Sequence, residues 1–310
     1  MKKRIIIIII AILIVTPVVI YFGFPSLLYR ADISATRGAA GLVKKSVQVD
    51  DHTIVYLEGG KGPAVLLIHG FTSEKDHWNR FSKYLTPKYR VIIPDQPGSG
   101  ESTKIMTASY DIKSQARRII RFSEALKLDK FHIVGNSMGG FIAGVVAADV
   151  PYRVISLALF DNSGITPPKK SEVQLAFDRG ENPLVVKTVE DYDRVMKLNF
   201  FKPLRIPGPV KRMLSEKALA NAPFNDKINK DRLAHPLALE PMLGLIKAPV
   251  LVLWGEEDRI LDRSAVTVLQ KGLPRSKVVI MKECGHVPIL ERPEETAKHY
   301  LDFLQALPAR

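Results

Sequence analysis

Cysteine is almost absent from this chain, with one residue, Cys284, among 310. A single thiol excludes a disulfide framework and any zinc or iron–sulfur site built from several cysteines. We expect Cys284 to be a small buried side chain, since no cationic neighbour in the sequence marks it as reactive. The rest of the composition, 46% hydrophobic and 25% charged residues, is typical of a globular protein with one large domain or two small ones.

Acidic residues are scarce relative to basic ones, with 32 against 45 and a net charge of +13. This balance raises the question of a polyanionic partner. No stretch combines clustered Lys and Arg with interleaved aromatic side chains, so a nucleic-acid partner is not predicted. Residues 1–45 carry +6 and residues 165–235 carry +5, which leaves the rest of the chain nearly neutral. The second segment would suit an anionic bilayer surface, and ordinary solvation is the alternative.

Long hydrophobic runs are missing except at the N terminus. Ile5–Phe24 holds twenty residues without a charge and follows a basic Lys-Lys-Arg triplet. As a helix, twenty residues are about 30 Å long, the thickness of the hydrocarbon core of a bilayer. We predict a single-pass transmembrane anchor within residues 1–30 and a juxtamembrane linker over residues 31–45. A cleaved signal peptide is the alternative, but the run exceeds the usual apolar region of about 7–15 residues and no clear cleavage site follows it.

The orientation of this anchor is less strongly marked. Basic residues on the two sides of the run nearly balance, so the positive-inside rule gives only a weak preference. The very short N-terminal tail favours the N terminus inside. In a bacterium, this orientation anchors the protein in the inner membrane and places the domain that follows in the periplasm.

Short apolar strands alternate with helices from residue 46 onwards. This pattern predicts an α/β fold, with a mostly parallel sheet covered by helices on both faces, built from residues 46–164 and 249–310. Residues 165–248 interrupt the alternation with many prolines and short helical runs, which predicts a mostly helical insertion. Within it, Val210–Asn221 and Phe224–Leu233 are predicted as separate helices.

The strongest chemical motif is Gly135-Asn136-Ser137-Met138-Gly139-Gly140. It follows a predicted strand, Phe131–Val134, and opens a helix, which is the context of a G-x-S-x-G nucleophile elbow. Glycines flank the serine because so tight a turn leaves no room for side chains there. We therefore predict that Ser137 is a nucleophile; a glycine-rich turn with an incidental serine is the alternative.

A serine hydroxyl is a weak nucleophile and needs a general base that a carboxylate orients. His286 follows the last predicted strand, and Asp258 follows the strand before it. Because the carboxyl ends of parallel strands meet at one edge of the sheet, both can reach Ser137. Asp161, which ends another predicted strand, is a geometric rival of Asp258. The chain order Ser, Asp, His is that of α/β-hydrolases.

An acyl-transfer site also needs backbone N–H groups that bind the oxyanion of the tetrahedral intermediate. We expect one from Met138, directly after the nucleophile, and the other from Phe71, in the loop after Ile68. Gly70 permits the tight turn of this loop, and His69 is expected to brace it.

Together these motifs resemble the α/β-hydrolase family of serine hydrolases, over roughly residues 46–310. The matching segments are His69-Gly70-Phe71, Asp95–Gly100, Gly135–Gly140, Gly255 with Asp258, and Gly285-His286. With its apolar N terminus and helical insertion, the chain further resembles single-pass membrane monoacylglycerol lipases and bacterial membrane-bound phospholipases A of the PlaF type. One departure is Gln96, where such proteins often carry an apolar residue.

The resemblance implies that the insertion forms a lid and that the substrates are acyl esters of glycerolipids, cleaved without a metal or an organic cofactor. The many large apolar side chains of the insertion agree with an acyl-chain tunnel over Ser137, and a small helical subdomain packed on the sheet is the alternative. The expected function is a membrane-anchored serine ester hydrolase of the phospholipase A1, lysophospholipase or monoacylglycerol lipase type, which releases fatty acid through an acyl-enzyme. The expected partners are the bilayer and its acyl-ester lipids, and a homodimer is compatible with the sequence.

Two rival functions stay open at this point. The elbow also resembles that of C–C bond hydrolases of meta-cleavage products, although a membrane anchor is unusual for an enzyme with a soluble substrate. The other rival is a non-catalytic lipid-binding protein on the same scaffold, against which the intact Ser137, Asp258 and His286 argue.

Overall fold

The computed structural model describes residues 4, 13, 16, 17 and 19–308. Much of the apolar run Ile5–Phe24, within the anchor predicted for residues 1–30, therefore lies outside the described residues. Among the residues that are described, no helix is both long and apolar enough to cross a bilayer.

A single eight-stranded sheet forms the centre of the described chain. Its strands are β1 (Val43–Val49), β2 (His52–Gly59), β3 (Ala64–Ile68), β4 (Arg90–Pro94), β5 (Phe131–Asn136), β6 (Val154–Phe160), β7 (Val250–Gly255) and β8 (Lys277–Met281). Their order across the sheet is β1-β2-β4-β3-β5-β6-β7-β8. The β1–β2 and β2–β4 pairs are antiparallel and all later neighbours are parallel. The predicted mostly parallel sheet is thus confirmed.

Both faces of this sheet are buried. Side chains alternate along β3, so that Val65 and Leu67 lie in one apolar cluster while Leu66 and Ile68 lie in the other. All four have no exposed surface. A strand buried on both faces needs an apolar residue at every position, which explains why the parallel strands read as short continuous apolar runs.

Helices cover the two faces. They are α1 (Pro25–Ala39), α2 (Asn79–Ser82), α3 (Ile112–Ala125), α4 (Met138–Asp149), α5 (Glu172–Asp178), α6 (Val189–Asn199), α7 (Gly208–Ala234), α8 (Ala265–Gly272), α9 (Pro288–Glu291) and α10 (Pro293–Gln305), with 3₁₀ turns at Lys75–Trp78 and Glu240–Leu245. Helices α3, α4 and α8 pack on one face, and α2, α9 and α10 pack on the other. The carboxyl ends of β5, β6, β7 and β8 all open at the same edge, where the candidate site lies.

The helical insertion between β6 and β7 is present, but one part of its prediction was wrong. Gly208–Ala234 is one continuous helix with Pro223 inside it, and not two helices. Proline removes one backbone hydrogen bond and normally ends or kinks a helix. Here the next two turns bury Phe224 and Ile228 against Tyr110, and this packing offsets the missing bond.

Helix α1 covers the end of the predicted anchor and most of the predicted linker, and it docks on the domain through polar side chains. Arg37 donates two hydrogen bonds of 2.7 Å to the carboxylate of Asp76. The Tyr29 hydroxyl donates to Glu74, and Lys217 of α7 donates to the same carboxylate. Burial alone would raise the pKa of Glu74, but the charge of Lys217 outweighs it with the help of neighbouring groups and lowers that pKa to about 2. Glu74 thus links α1, the loop after β3 and the insertion.

A buried ion pair holds the loop after β4 in place. Lys75 is only 1% exposed, and its Nζ lies 2.7 Å from the Asp95 and Glu101 carboxylates. Burial opposes a charged lysine, but Asp95 and then Glu101 raise the pKa of Lys75 above its usual value. Asp95 has no exposed surface, so Lys75 is the buried cation that its carboxylate pairs with.

We predict that Lys75→Met lowers the free energy of unfolding by about 3–5 kcal/mol, because it leaves the Asp95 carboxylate buried without its partner. Chemical denaturation measures the loss. Lys88→Met, at an exposed position, is the control and should change stability by less than about 0.5 kcal/mol. Equal effects of the two substitutions would contradict the prediction.

Candidate active site

Ser137 occupies a strained turn between β5 and α4. Its backbone angles are φ 57° and ψ −123°, in a region that non-glycine residues rarely adopt and that is typical of functional sites. The turn is held by hydrogen bonds from Ser137 N–H to the Phe160 carbonyl, and from Ser163 N–H to the Ser137 carbonyl. A strained turn between a strand and a helix is what the predicted nucleophile elbow requires.

The glycines around Ser137 are needed for close approach of backbone segments. A Cβ atom on Gly135 would collide with the Gly139 backbone, and one on Gly139 would collide with the Ile68 and His69 carbonyl oxygens. The first contact lets α4 begin directly behind the strand. The second brings the loop after β3 against the start of α4, where the predicted oxyanion donors lie.

His286 and Asp258 are brought together as predicted. His286 Nδ1 lies 2.8 Å from Asp258 Oδ2, and both side chains are buried. The other carboxylate oxygen, Oδ1, accepts the N–H groups of Ile260 and Leu261 at 2.8 and 3.0 Å. Asp258 is therefore fixed by its own loop and can hold the imidazole in the tautomer that carries its proton on Nδ1.

The loop of His286 lies directly beside the elbow. The Asn136 side chain, one residue before Ser137, donates hydrogen bonds to the His286 carbonyl at 3.1 Å and to the Phe160 carbonyl at 3.0 Å. The His286 N–H donates to the Asn199 carbonyl, at the end of α6, at 2.8 Å. Ser137, His286 and the insertion thus meet at one place.

The predicted oxyanion donors also face the elbow. A Cβ atom placed on Gly70 would lie 3.2 Å from Ser137 Cβ, so the residue before Phe71 is in direct contact with the serine. Among the described residues, no oxygen accepts a hydrogen bond from the N–H of Phe71 or of Met138. Two free amides beside a nucleophile are what an oxyanion hole needs.

His69 braces this loop, in agreement with the expectation. Its Nε2 accepts the Gln96 N–H at 3.0 Å, and its Nδ1 lies 2.8 Å from the Gly70 carbonyl. Burial lowers the pKa of His69, so the ring is neutral and donates from Nδ1. The side-chain amide of Gln96 also donates a hydrogen bond to the His69 backbone carbonyl. The departure at Gln96 thus adds a contact to the loop.

Asp161, the rival of Asp258, lies beside the histidine pair but does not replace Asp258 in it. It ends β6 with no exposed surface, and its Oδ1 accepts the Gly255 N–H at 2.8 Å. No described N–H group reaches its buried Oδ2. Burial, and then the nearby charge of Asp258, raise the pKa of Asp161 well above its usual value. This shift favours the protonated form of Asp161, which is packed against Asp258.

The side-chain ligand atoms of Asp161, Asp258 and His286 all lie within 4.8 Å of one another, close enough to hold a metal ion. However, both oxygens of Asp258 already accept hydrogen bonds, and the raised pKa of Asp161 disfavours the carboxylate form that would bind a metal. The contacts therefore fit a general base with its orienting acid better than a metal centre.

Glu291 is a site residue that the sequence analysis missed. Its carboxylate accepts the Gly285 N–H at 2.8 Å, and it accepts the N–H groups of Phe201 and Lys202 at 3.2 and 2.6 Å. It thus joins the loop of His286 to the insertion. Nothing near Glu291 in the sequence marks it, because its partners are backbone amides from two distant segments.

Cys284 is buried and free, and burial raises the pKa of its thiol. The expectation of a small buried side chain is confirmed.

The chain matches the family model of the alpha/beta hydrolase fold over residues 63–200 and 197–293. It belongs to this family. Together with the relatives below, the match identifies the chain as a carboxylic ester hydrolase.

Individual relatives narrow this class. Monoacylglycerol lipase ABHD6 of Bos taurus is 30% identical over 300 residues, covering 92% of this chain and 88% of its own length. Lipase 1 of Psychrobacter immobilis is 34% identical over 275 residues, covering 86% of each chain. The crystal structure of a membrane phospholipase A, described as a novel bacterial virulence factor, is 46% identical with a TM-score of 0.89 over 98% of both chains.

A meta-cleavage product hydrolase from Pseudomonas fluorescens superposes with a TM-score of 0.73 over 84% of this chain and 97% of its own, but is only 23% identical. This likeness shows the shared fold alone. The more similar relatives are lipases, so the comparisons support hydrolysis of lipid esters.

We predict that Asp161→Asn becomes more stable relative to the wild type as pH rises above the usual aspartate pKa of about 3.9. A carboxyl whose pKa is raised on folding stabilises the fold below its unfolded pKa, and this contribution is lost as pH rises towards the folded pKa, by up to about 1.4 kcal/mol per pH unit. Asparagine is neutral at every pH, so the variant does not lose this stabilising contribution.

Urea denaturation between pH 4 and pH 8 measures this difference. Asp149→Asn, at the exposed end of α4, is the control and should show a difference from the wild type that hardly varies with pH. A flat profile for Asp161→Asn would mean that Asp161 is ionised in the folded protein.

Proposed function

We propose that this carboxylic ester hydrolase is a membrane-anchored serine lipase that releases fatty acid from glycerolipids, of the phospholipase A1, lysophospholipase or monoacylglycerol lipase type. The observation that carries the proposal is the buried His286–Asp258 pair beside the strained elbow of Ser137. The similarity to monoacylglycerol lipases and to a membrane phospholipase A supports lipids as the substrate class.

In the proposed mechanism, His286 Nε2 removes the hydroxyl proton of Ser137 as the serine attacks the acyl carbonyl. Asp258 keeps the other ring nitrogen protonated and stabilises the imidazolium. The oxyanion accepts hydrogen bonds from the N–H groups of Phe71 and Met138. The imidazolium then protonates the leaving alcohol, and the same base activates the water that hydrolyses the acyl-enzyme.

In this proposal residues 165–248 form a lid over the core of residues 46–164 and 249–310. Its support is that the insertion touches the catalytic loop directly: a Cβ on Gly285 would meet the Asn199 carbonyl at 2.6 Å and the Phe201 amide at 2.8 Å. The backbone before His286 is thus packed against the end of α6. A movement of the insertion would therefore change both access to the site and the support of its base.

The membrane placement rests on residues 1–30 as the anchor and residues 31–45 as the juxtamembrane linker. We infer an inner-membrane enzyme with its domain in the periplasm and the bilayer as its partner surface. The apolar N-terminal run and the similarity to a membrane phospholipase A support this placement. Helix α1 also exposes Leu27, which is 51% accessible, as an interfacial helix would.

We predict that Ser137→Ala lowers kcat for monoacylglycerol and phospholipid hydrolysis by about 10⁴-fold or more, because the nucleophile and its base act as a unit. Released fatty acid measures the rate, and loss of labelling by a fluorophosphonate probe checks the acyl-enzyme step. Ser163→Ala is the matched control, since Ser163 contacts the same turn through its backbone, and it should keep labelling. Residual full activity in Ser137→Ala would refute the serine mechanism.

The basic surface of the insertion gives a second test. Residues 165–235 hold fourteen Lys and Arg residues, and nine of them pair with carboxylates of the protein. Among the described residues, four exposed cations of this segment have no carboxylate partner, namely Lys169, Lys187, Lys197 and Arg205. Lys169 and Arg205 are two of these four, which are free to bind an anionic bilayer.

We predict that Lys169→Gln combined with Arg205→Gln slows hydrolysis of anionic vesicles by about fivefold or more at low salt, since each basic residue near such a surface contributes about 1 kcal/mol. Hydrolysis of a water-soluble ester should not change. Lys88→Gln combined with Lys113→Gln, two exposed lysines of the core, is the control. If both double variants hydrolyse anionic vesicles at the same rate, the insertion does not face the bilayer.

A further inference from the structure

Arg232, near the end of α7, is a partly buried arginine without a protein partner. Its Nε is buried and makes no hydrogen bond, and within the described chain no carboxylate pairs with its guanidinium. The adjacent Asp231 points elsewhere, to Lys227 and the Tyr110 N–H. Burial lowers the pKa of Arg232 and no acidic group counteracts it.

An arginine in this position is unfavourable unless something compensates its charge. The Phe71 ring does so only weakly, with the guanidinium carbon 5.6 Å from the ring centroid. Two other buried or partly buried cations, Lys75 and Arg37, are each paired with a carboxylate of the protein. The contrast points to a group outside the protein as the partner of Arg232.

Arg232 lines a cavity of about 190 Å³. The cavity has one other polar residue, Asn229, on the same face of α7. Most of the remaining wall is apolar and includes Ile112, Phe141, Leu233 and Leu237. A cavity with apolar walls and two converging polar side chains suits an amphipathic ligand with one anionic group.

The cavity lies next to the proposed active site. Phe141 is one helical turn after Ser137 on α4, and Phe71, beneath Arg232, follows the glycine that touches Ser137. Phe71 thus connects the guanidinium, which lies over its ring, to the proposed oxyanion loop, which carries its backbone.

We propose that Arg232 and Asn229 bind the phosphodiester of the substrate, so that this cavity selects glycerophospholipids and lysophospholipids over neutral glycerides. This inference rests on the proposed lipase function. The phosphodiester of such lipids is one glycerol unit away from the scissile ester, so a group that binds it lies beside the oxyanion loop, as Arg232 does over the Phe71 ring. The planar guanidinium donates two parallel hydrogen bonds to phosphate oxygens, which makes arginine well suited to this group.

The carboxylate of the released fatty acid is a weaker candidate. Hydrolysis forms that carboxylate at Ser137, between the oxyanion donors, and not one glycerol unit away. The two anions therefore occupy different places in the proposed site, and the test separates them.

The experiment uses the full-length protein in detergent micelles with two substrates of the same acyl chain, a lysophosphatidylglycerol and a monoacylglycerol. Arg232→Gln should lower the ratio of kcat/KM for the phospholipid to that for the monoacylglycerol by about tenfold or more, since a charge-assisted contact is lost. Arg232→Lys should retain part of the ratio. Arg212→Gln, on the same helix and exposed, is the control and should leave the ratio unchanged.

A binding measurement keeps the result independent of turnover. In the Ser137→Ala background, glycerophosphoglycerol should raise the melting temperature, glycerol should not, and Arg232→Gln should abolish the increase. No shift with the headgroup, or an unchanged ratio in Arg232→Gln, would overturn the proposal. An unchanged ratio with relieved inhibition by added fatty acid would assign Arg232 to the carboxylate instead. If the wild type cleaves neither lipid but binds the headgroup, the proposed function fails while the phosphodiester site stands.

Discussion

The close approach of three backbone segments at the nucleophile turn is the constraint on which the site depends. Gly135 allows β5 to run into α4 without a spacer, and Gly139 lets the loop after β3 lie against the helix start. Ser137 is held in its strained conformation by this packing. Because the parallel strands open at one edge, the same approach brings in the loops that carry His286 and Asp258, so the fold and the site have one origin.

Charge pairing organises the rest of the active-site edge. Asp258 accepts three hydrogen bonds, whereas burial and then the charge of Asp258 raise the pKa of Asp161 beside it. Two carboxyl groups this close cannot both be charged at low cost, so their environments separate their roles. Backbone amides favour Asp258: two of them donate to its Oδ1, and in the described part of the chain one, the Gly255 N–H, donates to Asp161. Asp161 fills the space behind Asp258, and the imidazole of His286 contacts Asp258.

The sequence predicted the sheet, the elbow and the histidine pair because each has a local signature, such as a continuous apolar strand or glycines at fixed spacing. It failed where tertiary contacts overrule a local signal. Pro223 predicts a helix end, yet burial of Phe224 and Ile228 carries α7 through it. Glu291 and Arg232 were not predicted for a related reason. Glu291 matters because it binds backbone amides of two distant segments, and Arg232 matters because no carboxylate pairs with it among the described residues. Neighbouring residues in the sequence indicate neither property.

The net charge of the chain overstates how many cations are available to a partner. A count of basic residues treats every cation in residues 165–235 as available, but nine of the fourteen pair with carboxylates of the protein itself. A charge that is paired stabilises the fold and adds little attraction at a distance. The cations without partners divide by burial. Lys169, Lys187, Lys197 and Arg205 are exposed and can act on a surface, whereas Arg232 is partly buried beside a cavity and can act only on a group that enters it.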